Sequence, residues 1–120
     1  MIAAEKNIQA AIEEMLVAFE RRKSLVYIKN NSGATKVENS FIRFGKSGSP
    51  DFLVFLNGGH TLHMEVKTAK GKQTQNQIDY QERVESLGQT YRVVRSVKEA
   101  FIELSELDYD DELKTHNTGT

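Results

Sequence analysis

The chain has 120 residues, enough for one modest hydrophobic core and too few for two independent domains. It has no cysteine, no apolar stretch near the ~20 residues that span a bilayer, and a formal net charge of −1. The acidity lies at the end: residues 1–102 carry 15 Lys and Arg against 11 Asp and Glu, whereas residues 103–120 carry six acids and one lysine. We therefore expect a soluble, intracellular protein with one folded domain at residues 1–104 and an acidic, flexible tail at residues 105–120.

The first predicted element is an amphipathic helix, because apolar residues recur at spacings of three and four. These residues are Ile8, Ile12, Met15, Leu16 and Phe19. Glu5 and Gln9 extend the same stripe. A carboxylate on the buried side of a helix needs a partner or a cation, which makes Glu5 a candidate ligand of a metal or of a water molecule. The alternative is an acid that stabilises the first helical turn.

Two strands and a flexible lead are predicted next. Residues 24–29 read as a strand, residues 30–39 as a polar loop and residues 40–44 as a second strand. Residues 45–50 contain two glycines, two serines and a proline, and they read as a flexible lead into Asp51.

A hairpin follows that lead. Residues 52–56 form an apolar run, Asn57-Gly58-Gly59 tolerates positive φ in a turn, and residues 61–67 alternate in polarity. The alternation places Glu65 and Lys67 on one face, and the hairpin brings Asp51 beside Glu65. His63 shares this face, and we interpret it as a partly exposed strand histidine because imidazole is not a preferred ligand of an oxygen-rich site.

The second helix is predicted from Thr74 to Leu87, with Gly88 as its stop. Gln77 has two possible roles, closing a capping box with Thr74 and facing Glu65 from the side of the helix that packs on the sheet, with Tyr80, Val84 and Leu87. Residues 90–95 are the last strand, parallel to residues 61–67 because a helical crossover joins the two. Ser96 caps a final helix.

Two carboxylates and an ammonium at neighbouring strand ends indicate metal-dependent phosphodiester chemistry. Oxygen ligands select hard cations, and Mg²⁺ keeps several waters when few carboxylates hold it. Such a site activates water and screens the phosphate, while an ammonium offsets developing charge. The pattern Pro-Asp…Glu-x-Lys is short enough to occur by chance, so its context decides its value.

That context resembles the VRR-NUC family of the PD-(D/E)xK nuclease superfamily, specifically its small stand-alone bacterial and phage members. The matching segments cover roughly residues 3–102: Glu5 and Gln9, Gly-Ser-Pro-Asp at 48–51, Glu-Val-Lys at 65–67, Gly-Lys-x-Thr-x-x-Gln at 71–77, and Val-Arg-Ser at 94–96. The resemblance implies an α/β fold with a restriction-endonuclease-like core, a mixed sheet flanked by helices in the order α-β-β-β-α-β-α. It also implies Mg²⁺ or Mn²⁺ dependence, cleavage of branched or flapped DNA, and a cytoplasmic protein of a bacterial cell or phage-infected host.

Carried over residue by residue, the resemblance assigns Asp51 and Glu65 as metal carboxylates, the Val66 carbonyl as backbone ligand and Lys67 as catalytic lysine. Glu5 matches the acid of the leading helix, as a metal ligand directly or through water, and Gln77 matches the glutamine after the loop. Candidate DNA contacts are polar or basic residues near the site, with a solvated surface as the alternative. They are Arg43, Lys46, Ser47, Lys70 and Lys72.

The expected activity is structure-selective endonuclease cleavage of Holliday junctions or other branched DNA by a homodimer without an organic cofactor. The alternatives are a flap endonuclease or exonuclease acting on DNA ends, and a DNA-binding module that keeps the nuclease fold without activity. A sequence-specific duplex endonuclease is disfavoured, because 120 residues leave little room for elements that reach base edges.

Overall fold

A computed structural model describes residues 3–30, 33–37, 40–44 and 46–107, with only the backbone of residues 33–37 and 40–44. The elements follow in chain order: α1 (Ala3–Arg21), β1 (Leu25–Lys29), β2 (Gly33–Val37), β3 (Ser40–Phe44), β4 (Phe52–Leu56), β5 (Thr61–Val66), α2 (Gln75–Ser86), β6 (Thr90–Val94) and α3 (residues 97–107). Within these residues no helix is both long and apolar enough to cross a membrane.

The main sheet has four strands in the order β1-β4-β5-β6. β1 and β5 each pair antiparallel with β4, and β6 pairs parallel with β5 after the α2 crossover. With α1 before this sheet and α3 after it, the core reads α-β-β-β-α-β-α. The predicted mixed sheet and fold class are confirmed.

The predicted loop at residues 30–39 is wrong for its middle part. Residues 33–37 form β2, which pairs with β3 in a separate two-stranded sheet. Such a ribbon is held by its backbone ladder, so a polar sequence can form it without the apolar run that marks a core strand.

The hydrophobic core lies on one face of the main sheet. Leu62, Met64 and Val66 of β5 are fully buried there against side chains from α1 and α3. The opposite face of β5 is also buried, because α2 packs over it. The predicted division of β5 into two faces is therefore confirmed, and its polar face lies inside the protein.

The ends of α2 follow the predicted signals. Thr74 is the N-cap of a complete capping box, and Gly88 has φ +85° where the helix stops. The backbone N–H groups of Gly88 and Gln89 donate to the Glu85 and Val84 carbonyls, which satisfies two terminal acceptors. Leu87 departs from the prediction: it is the C-cap, its side chain leaves the sheet-facing stripe, and it is 77% exposed.

The final helix continues three residues beyond the predicted domain boundary. Ser96 Oγ accepts from the Glu99 N–H at its start, as expected for a cap, and Leu107 packs against the core at its end. Residues 108–120 lie outside the described part of the chain, so the flexible tail stays a prediction.

Candidate active site

The segment before β4 fixes Asp51 in place. The Ser49 hydroxyl donates to the Lys46 carbonyl at 2.6 Å, and the Asn30 amide Nδ2 donates to Ser49 Oγ at 2.7 Å and to the Pro50 carbonyl at 2.9 Å. The backbone N–H of Asn30 donates to the Asp51 carbonyl at 2.7 Å. These bonds extend the β1–β4 pairing by one residue, so Asp51 is positioned by the end of β1 as well as by its own strand.

Gly48 brings the same segment against the start of α2. Its φ is +81°, and a Cβ at this position would lie 2.1 Å from the Asn76 carbonyl oxygen. Only glycine combines that backbone conformation with that approach. The Asn76 side chain also donates to Ser47 Oγ at 2.9 Å, which ties the loop to the helix that carries Gln77.

Both Asp51 carboxylate oxygens accept a hydrogen bond. Oδ2 accepts from the Val66 backbone N–H at 2.7 Å, and Oδ1 accepts from Gln9 Nε2 at 3.0 Å. The N–H and C=O of one strand residue point to the same side, so the Val66 carbonyl also lies on the Asp51 side of β5. Extending the β4–β5 register places Pro50 opposite Val66, and proline has no N–H to donate to that carbonyl.

Glu65 is held by α2, whereas Asp51 is held by α1 and by the backbone of β5. Its Oε2 accepts from Gln77 Nε2 at 2.9 Å and lies 3.7 Å from Lys67 Nζ. Gln77 simultaneously closes the capping box, since its Oε1 accepts from the Thr74 N–H at 2.9 Å. The two predicted positions of Gln77 therefore occur together.

The site is buried and crowded with carboxylates. Glu65 is 3% exposed and Lys67 is 9% exposed. Burial and then repulsion by Asp51 raise the pKa of Glu65 to about 8, against the opposing charge of Lys67. Burial also raises the pKa of Asp51, while the Val66 N–H opposes the rise. In each case the charged form is disfavoured, and a cation between the two groups would relieve that cost.

Glu5 lies close enough for its charge to raise the pKa of both Asp51 and Glu65. Across the described ranges, however, no group of three His, Cys, Asp or Glu converges closely enough to hold a metal. Two carboxylates and the Val66 carbonyl form an oxygen donor set, which suits a hard cation that keeps several waters.

His63 is buried, not partly exposed as expected. Its Nδ1 lies 3.0 Å from Tyr80 Oη and its Nε2 lies 3.2 Å from Gln89 Oε1. Burial lowers its pKa, so the neutral ring is favoured, with one nitrogen accepting and the other donating. The expected exposure failed because α2 covers this face of β5; both hydrogen bonds fit a structural role.

Four of the five candidate DNA contacts lie in two described loops. Lys46 and Ser47 are exposed in the loop before Asp51, and Lys70 and Lys72 are exposed in the loop between β5 and α2. The side chain of Arg43 lies outside the described part of the chain.

Two roles were missed by the sequence reasoning. Gln9 was placed on the buried stripe of α1 without a partner, and it donates to Asp51. Arg95 was recognised only as part of a motif. Its Nη1 donates to the carbonyls of Thr68 at 2.6 Å and Gly71 at 2.7 Å, which shapes the loop between Lys67 and α2. A polar residue on an otherwise apolar stripe was the available signal for Gln9.

The sequence matches no protein-family model and no curated protein. A solved structure described as a VRR_NUC domain is similar to this chain with a TM-score of 0.59 and 26% sequence identity, over 90% of this chain and 97% of that one. The chain therefore has the nuclease fold of the VRR_NUC domain, which supports its membership of the VRR-NUC family.

Proposed function

We propose that this protein is a Mg²⁺- or Mn²⁺-dependent endonuclease that hydrolyses phosphodiester bonds in branched DNA, Holliday junctions among its substrates. The convergence of Asp51, Glu65 and Lys67 carries the proposal. The Asp51 and Glu65 carboxyl groups interact with each other, and Lys67 Nζ lies 3.7 Å from Glu65 Oε2. Amides from two different helices orient the two carboxylates.

Protein oxygen atoms would bind the cation, and neighbouring amides hold those oxygen atoms in position. Asp51, Glu65 and the Val66 carbonyl are the proposed ligands, with Glu5 acting through water. A divalent cation at this point would acidify water and offset the charge of the phosphodiester. Gln9 and Gln77 keep the carboxylates in fixed rotamers through hydrogen bonds, so little reorganisation accompanies binding.

Lys67 supplies the positive charge of the protein itself. Its ammonium lies 3.7 Å from Glu65 and is almost fully buried, so it acts in a region of low dielectric where charge interactions are strong. We assign it to orienting the attacking water and stabilising the charge that develops on the phosphate. Lys46, Ser47, Lys70 and Lys72 are proposed to contact the DNA backbone on either side, together with Arg43.

A homodimer fits a two-fold symmetric junction that must be cut on two strands. In support, apolar side chains cover the β1–β4 half of the sheet on the face away from the core. Val26 and Ile28 are 57% and 50% exposed, and their cross-strand neighbours are Phe55, itself 38% exposed, and Leu53. A second copy could bury this patch.

The test is cleavage of a substrate panel of duplex, flap, splayed-arm and four-way-junction DNA with Mg²⁺, Mn²⁺ or EDTA. We expect metal-dependent cleavage that favours branched DNA, lost in Lys67→Ala and retained in the exposed control Lys98→Ala. Preferential cleavage at DNA ends would favour the flap or exonuclease alternative. DNA binding without cleavage in either metal would favour the non-catalytic module.

A further inference from the structure

A cavity of about 420 Å³ lies along α2, beside the loop that leads to Asp51. Its apolar wall is formed by Tyr80, Val84 and Leu87. Its rim is polar and is formed by Lys46, Ser47, Asn76, Asp79 and Arg83. The volume lies within the range of about 300–1,000 Å³ that small-molecule groups occupy in proteins.

The apolar wall combines a fixed aromatic ring, Tyr80, with an exposed aliphatic side chain, Leu87. Tyr80 is held by its hydroxyl at His63 and by ring contacts with His63 and Tyr91, so it cannot fold away from the cavity without losing these contacts. Leu87 is 77% exposed, the highest value among the large hydrophobic residues of the described chain that are exposed. An aromatic ring fixed beside an uncovered leucine is suited to a flat apolar ligand.

The cavity adjoins the proposed catalytic centre through two direct links. Ser47, on its rim, precedes Asp51 by four residues and accepts a hydrogen bond from Asn76. Asn76 is followed by Gln77, which holds Glu65. The cavity and the carboxylates are therefore linked through one short loop and the first turn of α2.

The rim carries charge suited to a phosphate. Lys46 and Arg83 are exposed, and neither forms an ion pair with another residue in the described ranges. Asp79, Asn76 and Ser47 offer acceptors and donors to the edge of a planar heterocycle. Apolar faces, a hydrogen-bonding edge and an adjacent anion are together the chemistry of a nucleotide.

We propose that this cavity receives one unpaired nucleotide of a branched DNA, with its base on the apolar wall and its phosphate beside Lys46 and Arg83. A base in continuous duplex is stacked on both faces and cannot enter; a base at a branch point can do so at little cost. The cavity would thus supply structure selectivity without reading sequence. The proposal deepens the nuclease function above and rests on it.

The test compares binding of two labelled DNAs by fluorescence anisotropy in EDTA: a splayed-arm DNA and a duplex of equal length. Leu87→Ser should weaken splayed-arm binding about tenfold, the value of one stacked base, and change duplex binding by less than about twofold. The matched control is Ile102→Ser, an exposed apolar residue of α3, which should change neither. As a second variant, Arg83→Ala should reduce the slope of log affinity against log salt concentration for splayed-arm DNA by about one, because one phosphate contact is lost.

An abasic scan locates the base. The affinity of wild type for the splayed-arm DNA should fall about tenfold when one particular unpaired position is made abasic. The affinity of Leu87→Ser should not fall further when the same base is removed, because the variant has already lost the contact with that base. Equal weakening on duplex and splayed arm, or additive losses in the scan, would overturn the proposal. So would light scattering that shows a changed assembly state for Leu87→Ser without DNA, since the cavity would then be a contact between copies.

Cleavage and binding measurements together distinguish a failure of the nuclease proposal from a failure of the cavity proposal. If wild type cleaves no DNA with Mg²⁺ or Mn²⁺ but keeps the base-dependent binding, the cavity assignment stands and the catalytic one falls. If wild type cleaves branched DNA while Leu87→Ser keeps full discrimination in binding, the cavity assignment falls alone.

Discussion

Replacing Glu65 by glutamine should stabilise the metal-free protein. The carboxyl group has a reference pKa of 4.5, and in the folded protein it is raised to about 8, first by burial and then by Asp51. The folded state therefore binds the Glu65 proton more tightly than the unfolded state does. Its contribution to stability is complete below pH 4.5 and is lost as the pH rises toward 8. Glutamine resembles the protonated acid at every pH and can donate to Asp51 in its place.

The size of the effect follows from the same shift. Each pH unit inside the window between the two pKa values changes the free energy of unfolding by about 1.4 kcal/mol. The gain of Glu65→Gln over wild type should accordingly rise from about 1 kcal/mol at pH 5 to about 3 kcal/mol at pH 7. Taking the difference between variant and wild type cancels titrating groups that do not interact with Glu65, such as His63, whose pKa is lowered by burial.

The assay is urea unfolding followed by circular dichroism in EDTA at pH 5, 6, 7 and 8. Glu82→Gln, an exposed carboxylate on α2, is the matched control and should stay within about 0.5 kcal/mol of wild type throughout. If Glu65→Gln is less stable than wild type at pH 8, or if its advantage does not grow with pH, the assigned electrostatics of the site are wrong. The same variant should lose metal-dependent cleavage.

Three further outcomes are expected. Lys67→Ala should abolish cleavage while DNA affinity stays within a few-fold of wild type, because it removes transition-state stabilisation and leaves the carboxylates in place; unchanged turnover would remove this lysine from the mechanism. Asp51→Asn should lose measurable Mg²⁺ or Mn²⁺ binding by calorimetry, and equal affinity in both proteins would exclude it as a ligand. Gly48→Ala should lower the free energy of unfolding in urea more than Gly59→Ala does. Both glycines have φ +81°, but only at Gly48 would the new Cβ meet a backbone oxygen, at 2.1 Å. Equal losses would mean that the loop around Gly48 relaxes without strain.

The relative positions of Asp51, Glu65 and Gln77 were predicted from the sequence because local patterns determine them. The hairpin turn and the alternation of β5 placed Asp51 beside Glu65, and the capping pattern placed Gln77 at the start of α2. Each of these signals acts over fewer than about ten residues, where propensity and period are most reliable. The pairing of β5 with β4 and with β6 followed from the same elements, whereas the pairing of β1 with β4 was not predicted.

Long-range packing was not readable from the sequence. His63 was expected at the surface, since an alternating strand usually has one solvated face, but α2 covers that face. Gln9 meets Asp51 across 42 positions of sequence, and no local pattern specifies such a contact. β2 was missed for a different reason: residues 33–37 lack the apolar run that marks a core strand, and in the described chain they pair with β3 and not with the main sheet.

The choice of neutral side chains around the carboxylates has a physical consequence. Gln9 from α1 and Gln77 from α2 orient Asp51 and Glu65 by donating hydrogen bonds, but they add no positive charge. Arginine at either position would orient a carboxylate equally well and would also neutralise it, so the drive to bind a cation would be weaker. With neutral donors, Lys67 is the one cation in ion-pair contact with either carboxylate in the described chain, so little positive charge offsets the cost of ionising both groups. Burial and mutual repulsion accordingly raise the pKa of both carboxyl groups. Ionising both is costly in the metal-free protein, and a divalent ion would offset that cost when it binds.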